Sequence, residues 1–129
     1  MEIAFAHNKL GNALKKLGKY DEAIDSYKNA LKIDPKYAIA HNNLGIALGD
    51  LGKYDEAIDS YNTVLKLDPK NADAHHNLGV ALNKLGKYNE AIDSFNAALK
   101  HDPKDAIVHN NLGVTLDNIY RYDEAIGNY

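Results

Sequence analysis

Apolar residues recur at three- and four-residue steps along most of the chain, the spacing of one face of an α-helix. Between residues 38 and 51, His41, Leu44, Gly45, Leu48 and Leu51 share such a face. Gly52 then stops the helix, because glycine takes the left-handed conformation that ends one. Asp55 and Glu56 put negative charge in the first turn of a second helix, where the backbone dipole favours it. That helix is predicted to reach about Leu67, with Tyr54, Ala57, Ile58, Tyr61, Val64, Leu65 and Leu67 as a broad apolar stripe. Lys66 lies near its negative end, and Asp68 before Pro69 closes it. Gly45 and Ala57 are small where the two axes must approach closely. No stretch alternates as a strand would, so the predicted fold class is all-α.

This pattern repeats. The string Gly-Lys-Tyr-Asp-Glu-Ala-Ile-Asp-Ser-Tyr runs from Gly18 to Tyr27 and returns unchanged from Gly52 to Tyr61. Near-copies run from Gly86 to Phe95 and from Tyr120 to Tyr129, always 34 residues on. His7, His41, His75 and His109 keep the same period, as do Pro35, Pro69 and Pro103. Repeats therefore span 4–37, 38–71, 72–105 and, in part, 106–129, within one domain covering 1–129. The second and third are identical at 23 of 34 positions. The fourth carries Tyr120 where the others carry their turn glycine. Its second helix is still expected to begin there and to contain the end of the sequence.

A 34-residue helix-turn-helix with these residue types resembles the tetratricopeptide repeat (TPR) family. The family pattern of a large residue, Leu-Gly, a bulky apolar residue, Ala, an aromatic and Pro is met by His41, Leu44-Gly45, Leu48, Ala57, Tyr61 and Pro69. It is met again by His75, Leu78-Gly79, Leu82, Ala91, Phe95 and Pro103. The resemblance implies a right-handed α-solenoid of antiparallel helix pairs acting as a non-enzymatic protein-binding module. One helix pair cannot bury its own stripe, so stability should come from stacking on its neighbours. The fourth repeat's open face invites another molecule, and identical repeats permit a homo-oligomer assembled through the exposed terminal repeats as a structural scaffold.

Composition narrows the partners. The chain of 129 residues has no Cys, which removes disulfides, thiolate metal sites and a thiol nucleophile. A net charge of −3 exerts no general pull on nucleic acid, and all basic residues but Arg121 are Lys. No apolar run is long enough for a membrane span, and the first residues lack signal-peptide order. A soluble, cytoplasmic module without cofactor or metal is the expectation.

The periodic histidines stand a helix-packing distance apart, whereas zinc needs several ligands about 2 Å from one point. They are expected to be packing knobs with a satisfied ring nitrogen. His75 and His76 should point to different sides of their helix, and His101 should form a semi-buried edge. Ser26, Ser60 and Ser94 recur beside Asp25, Asp59 and Asp93, with no positioned base or oxyanion site. They are read as part of a solvated stretch. No phosphate loop or HExxH motif occurs.

In TPR proteins the first helices line a concave surface. The resemblance therefore implies a peptide-binding groove of Phe5, Asn8, Asn12, Ile39, Asn42, Asn43, Ile46, His76, Asn77, Val80, Lys84, Asn110, Asn111 and Val114. The same faces carry Lys9, Lys15, Lys16, Asp50, Asp73, Ile107 and Asp117. Asn43, Asn77 and Asn111 form one 34-residue line, similar to the asparagine ladder that family members use on peptide backbones. An amide offers both donor and acceptor, the complement of a peptide bond. The family's carboxylate clamp for acidic C-termini is expected to be absent. Its positions correspond to Asn8, Asn12, Asn43, Asp73 and Asn77, which include no cation.

Overall fold

The computed structural model describes residues 2–127. They form seven helices: α1 (Glu2–Lys16), α2 (Tyr20–Ile33), α3 (Ala38–Asp50), α4 (Tyr54–Leu67), α5 (Ala72–Lys84), α6 (Tyr88–His101) and α7 (Ala106–Ala125). No strand occurs among the described residues. The fold is all-α and built of solenoid-type helix pairs, α1–α2, α3–α4 and α5–α6, followed by α7. Contacts divide the chain into two compact units, Met1–Pro69 with α1–α4 and Lys70–Tyr129 with α5–α7.

The short turns make each pair antiparallel. Gly18, Gly52 and Gly86 have φ of 77°, 78° and 77°, a region that a Cβ disfavours. The following amides of Lys19, Lys53 and Lys87 donate back to the carbonyls of Leu14, Leu48 and Leu82, each at 2.9 Å. This six-to-one bond satisfies a carbonyl that the helix end would otherwise leave bare. Asp55 and Glu56 lie in the first turn of α4 and Lys66 in its last, as the charge pattern predicts.

Within each pair an aromatic ring seats on a glycine. A Cβ added at Gly11 would lie 2.5 Å from Tyr27, one at Gly45 2.5 Å from Tyr61, and one at Gly79 2.6 Å from Phe95. Ala23, Ala57 and Ala91 on the second helices are fully buried. In the first unit, Ala4, Ala30 and Ala40 make a small cluster flanked by Leu31 and Tyr37, joining the first pair to α3.

Burial also sets how these rings titrate. Loss of solvent pushes the Tyr27 hydroxyl up from its ordinary value of 10.0 to about 12. Tyr61 is raised further by burial, with a smaller push from the negative charge of Asp50. The folded state thus keeps protons that the unfolded chain releases as pH rises above about 10. Stability from these rings is complete below that pH and is lost as pH climbs towards 12. The urea midpoint should therefore fall across this window, and a Tyr27→Phe/Tyr61→Phe variant should show a shallower fall.

Two expectations need correction. The fourth repeat forms no second helix among the described residues, because α7 runs unbroken for 20 residues through Tyr120. Tyr120 replaces the only residue type that adopts the turn's positive φ without strain, so helix is the easier course. Arg121 reinforces it with an ion pair to Asp117 one turn back, at 3.0 Å. The helix ends about two helical turns late, at Gly127 with φ 71°. Asn128 and Tyr129, the last residues of the fourth near-copy, lie outside the described residues. The second correction concerns Ser26, Ser60 and Ser94, which are buried and not solvated. Each follows a buried alanine by three residues, on the packed face of its helix, while Asp25, Asp59 and Asp93 stay exposed.

Candidate functional site

The residue pattern directs attention to the first helix of each pair, since the second helices spend their apolar stripe on packing. In the first unit α1 and α3 are neighbours, and in the second α5 and α7 are.

In the first unit, Asn43 on α3 donates its Nδ2 to Asn8 Oδ1 on α1, at 3.1 Å. Asn8 is only 3% exposed, so its amide serves this bond and not the surface. Asn43 is half-buried and has a second N–H and a carbonyl oxygen beyond this bond. Asn12 accepts from the Tyr27 hydroxyl at 2.6 Å, which ties the first helix to the ring seated on Gly11. Phe5 and Ile39 are exposed, and the Lys9 ammonium stands 5.2 Å from the centre of the Phe5 ring. Asn42 and Ile46 are half-buried.

The second unit repeats this arrangement with one change. Asn111 on α7 donates Nδ2 to His76 Nε2 on α5 at 2.8 Å, again 35 residues back. An amide nitrogen only donates, so His76 must present Nε2 as an acceptor and carry its proton on Nδ1. The His76 ring also packs on Phe95, with centroids 5.9 Å apart. Asn77 and Val80 are half-buried, and Lys84, Asn110 and Val114 are exposed. The predicted surface residues are thus on first helices, but Asn8 is an internal brace.

This bracing was not foreseen from the sequence. Its signal is visible in hindsight as the spacing of 35, which links Asn43 to Asn8 and Asn111 to His76. A periodic asparagine suggests a ligand contact, whereas in Asn43 and Asn111 one of the two N–H groups bonds to the adjacent first helix.

Two of the periodic histidines tie a first helix to a loop, although His109 is exposed. His41 Nε2 lies 2.8 Å from the Pro35 carbonyl, and His109 Nε2 lies 2.9 Å from that of Pro103. A carbonyl only accepts, so both rings carry the proton on Nε2. Each bond ties a first helix to the loop before it. His75 stacks on His101 at 6.0 Å, with His101 exposed and not semi-buried. As expected, His75 and His76 turn to different partners. No cluster of three or more metal-ligating side chains occurs among the described residues. No helix among them is long and apolar enough to cross a membrane.

The chain matches the TPR repeat over residues 11–52 and 47–86, and the tetratricopeptide repeat over 72–105 and 94–127. It belongs to the tetratricopeptide repeat family. No curated protein sequence matches it significantly. Among solved structures it is similar to the first TPR of Spaghetti (RPAP3) bound to the HSP90 peptide SRMEEVD. That likeness has 28% identity and a TM-score of 0.90, covering 92% of this chain and 94% of the other. It is also similar to the first TPR domain of human RPAP3, at 27% identity and TM-score 0.91, over 95% of this chain and 96% of that one. The second TPR domain of human RPAP3, in complex with the HSP70 peptide SGPTIEEVD, shares 29% identity. Its TM-score is 0.85, covering 88% and 95% of the two chains. The fold is thus that of protein-interaction modules.

Proposed function

We propose that this protein is a non-enzymatic, cytoplasmic peptide-binding module that holds an extended, mildly apolar segment on its first-helix faces. The observation that carries the reading is the state of Asn43 and Asn111. Each is braced through one N–H, half-exposed, and has a further donor and acceptor beyond the brace. A fixed amide loses less freedom on binding than a mobile one, so its hydrogen bonds count for more. Asn77 is the middle residue of the 34-residue line. In the first unit α1 and α3 also carry the apolar anchors Phe5, Ile39 and Ile46, and in the second α5 and α7 carry Val80 and Val114.

Magnitudes define how tight such binding is. Each net hydrogen bond contributes about 1 kcal/mol, while association costs at least about 4 kcal/mol. Three amides do not suffice alone, so the apolar anchors supply the remainder and the dissociation constant falls at about 10–100 μM.

The neighbours' peptides both end in Glu-Glu-Val-Asp. Of the five positions that clamp such an end, Asn12 and Asn43 keep the family's asparagines, but Asn8, Asp73 and Asn77 stand where it needs cations. Asp73 is exposed and would repel a carboxylate. The preferred ligand is therefore an internal or uncharged segment.

A random-peptide library screened against the protein and an Asn43→Ala/Asn77→Ala/Asn111→Ala variant tests this. Apolar peptides should enrich on the parent and be lost by the variant at equal helicity, and SRMEEVD should not enrich. Equal enrichment on both proteins would refute the asparagine line. Enrichment of acidic C-termini would refute the ligand class.

A further inference from the structure

One position before the periodic asparagines the repeats carry Asn8, Asn42, His76 and Asn110, so a histidine interrupts a series of amides. That histidine is the acceptor of the brace in the second unit, where its Nε2 takes an N–H of Asn111 at 2.8 Å. Asn8 does the same work in the first unit, its Oδ1 accepting from Asn43 Nδ2 at 3.1 Å. The two braces match in place and differ in chemistry. An amide oxygen accepts at every ordinary pH, whereas a histidine nitrogen accepts only while it is unprotonated.

Histidine is the side chain that changes charge between pH 5 and 8. Once the ring is protonated both of its nitrogens donate, and Nε2–H then faces the Asn111 amide nitrogen. Two donors make no hydrogen bond. A half-turn of the amide about the Cβ–Cγ bond resolves the conflict, because Oδ1 and Nδ2 exchange places with almost no change of shape. Oδ1 then accepts from the imidazolium in a charge-assisted bond, stronger than the neutral one it replaces. α5 and α7 stay joined, and what changes is the group that Asn111 shows outward. Beside a neutral His76 it shows Oδ1 and one N–H; beside a charged His76 it shows its NH2.

The groups around the ring do not supply a competing charge. Within the second unit α6 meets it with Phe95, at 5.9 Å between centroids, and α7 meets it with Asn111. The residues one turn on either side of Phe95 and of Asn111 are uncharged. On α5 itself Asp73 lies exposed one turn before His76, and His75 turns instead to His101.

We infer that His76 is a proton-controlled selector, which sets Asn111 as a hydrogen-bond acceptor toward a bound segment at neutral pH and reverses it to a donor in acid. Asn43, braced by Asn8, keeps one polarity throughout. The ligand this defines is an extended segment that donates a backbone N–H to Asn111, so acid weakens its hold in the second unit and not in the first. The consequence for binding rests on the peptide reading above; the reversal of the amide does not.

Nuclear magnetic resonance of the protein alone tests the reversal. At pH 8 the His76 ring should carry its proton on Nδ1, opposite to His41 and His109, and the Asn111 side-chain protons should give Overhauser contacts to that ring. At pH 5 those contacts should vanish, while contacts across the Asn43–Asn8 pair stay. A nearby charge by itself would shift the Asn111 signal without removing the contacts. A His76 proton on Nε2 at pH 8, or Asn111 contacts that persist at pH 5, would overturn the proposal.

Affinity supplies the second readout. A peptide enriched at pH 8 from a library without Asp, Glu or His should bind about five- to tenfold more weakly at pH 5, the loss of one hydrogen bond. His76→Asn installs the residue of the other repeats and should bind that peptide equally at both pH values, with the parent's helicity. The variant retains every other histidine, so a fall that persists in it, or no fall in the parent, would overturn the role of His76. If no peptide enriches, the peptide reading fails, and the resonance measurements still decide whether His76 reverses Asn111.

Discussion

Gly45→Ala should destabilise the protein by about 2 kcal/mol, whereas Gly113→Ala should stabilise it by about 1 kcal/mol. Both glycines sit at the same repeat position inside a helix, where alanine is the better helix former. At Gly45 the new methyl would lie 2.5 Å from the Tyr61 ring and within 2.9 Å of two more of its atoms. Tyr61 is 4% exposed, so the ring has nowhere to retreat and the two helices must part. At Gly113 the same methyl enters open space and only the helical preference remains. Urea denaturation at micromolar protein, followed by circular dichroism, measures both. Equal signs for the two variants would show that the seated ring does not control this position.

Phe95→Ala is expected to have the largest effect, a loss of about 3–5 kcal/mol. The ring is fully buried, seats on Gly79 and packs on His76, so its removal leaves a cavity in the middle of the α5–α6 pair. Phe95→Tyr should be tolerated far better, since Tyr27 and Tyr61 occupy the same position in the other repeats. Hydrogen exchange should quicken first in α5 and α6. A loss under about 1 kcal/mol for the alanine variant would mean that the pair is not held by its aromatic.

The repeat made most of this fold readable. A period of 34 with Gly52, Asp55, Lys66 and Pro69 in sequence carries turn, helix start and helix end by local chemistry alone. The small size of Gly45 and Ala57 was legible as a need for close approach, but the sequence did not show that the group seated on Gly45 is the Tyr61 ring. Three further features were not legible, each for a physical reason. Tyr120 was visible as a departure, but the outcome depended on a balance between turn strain and helix continuation that a pattern match does not weigh. The burial of Ser26, Ser60 and Ser94 was hidden because a hydroxyl suits a packed face and a wet one alike. The bonds of Asn43 to Asn8 and Asn111 to His76 join residues 35 apart, and an amide's donors serve a neighbouring helix as readily as a ligand. That last point bears on the proposed site: Asn43 and Asn111 are each tied to a neighbouring first helix within the fold itself.

The most direct measurement of the peptide-binding reading is the side-chain amide NMR spectrum of the protein, recorded with and without an enriched peptide. The account predicts that the Asn43, Asn77 and Asn111 signals shift in proportion to occupancy, while Asn62 and Asn96, exposed on second helices, stay in place. Shifts confined to Asn62 and Asn96, with the first-helix amides unmoved, would contradict it.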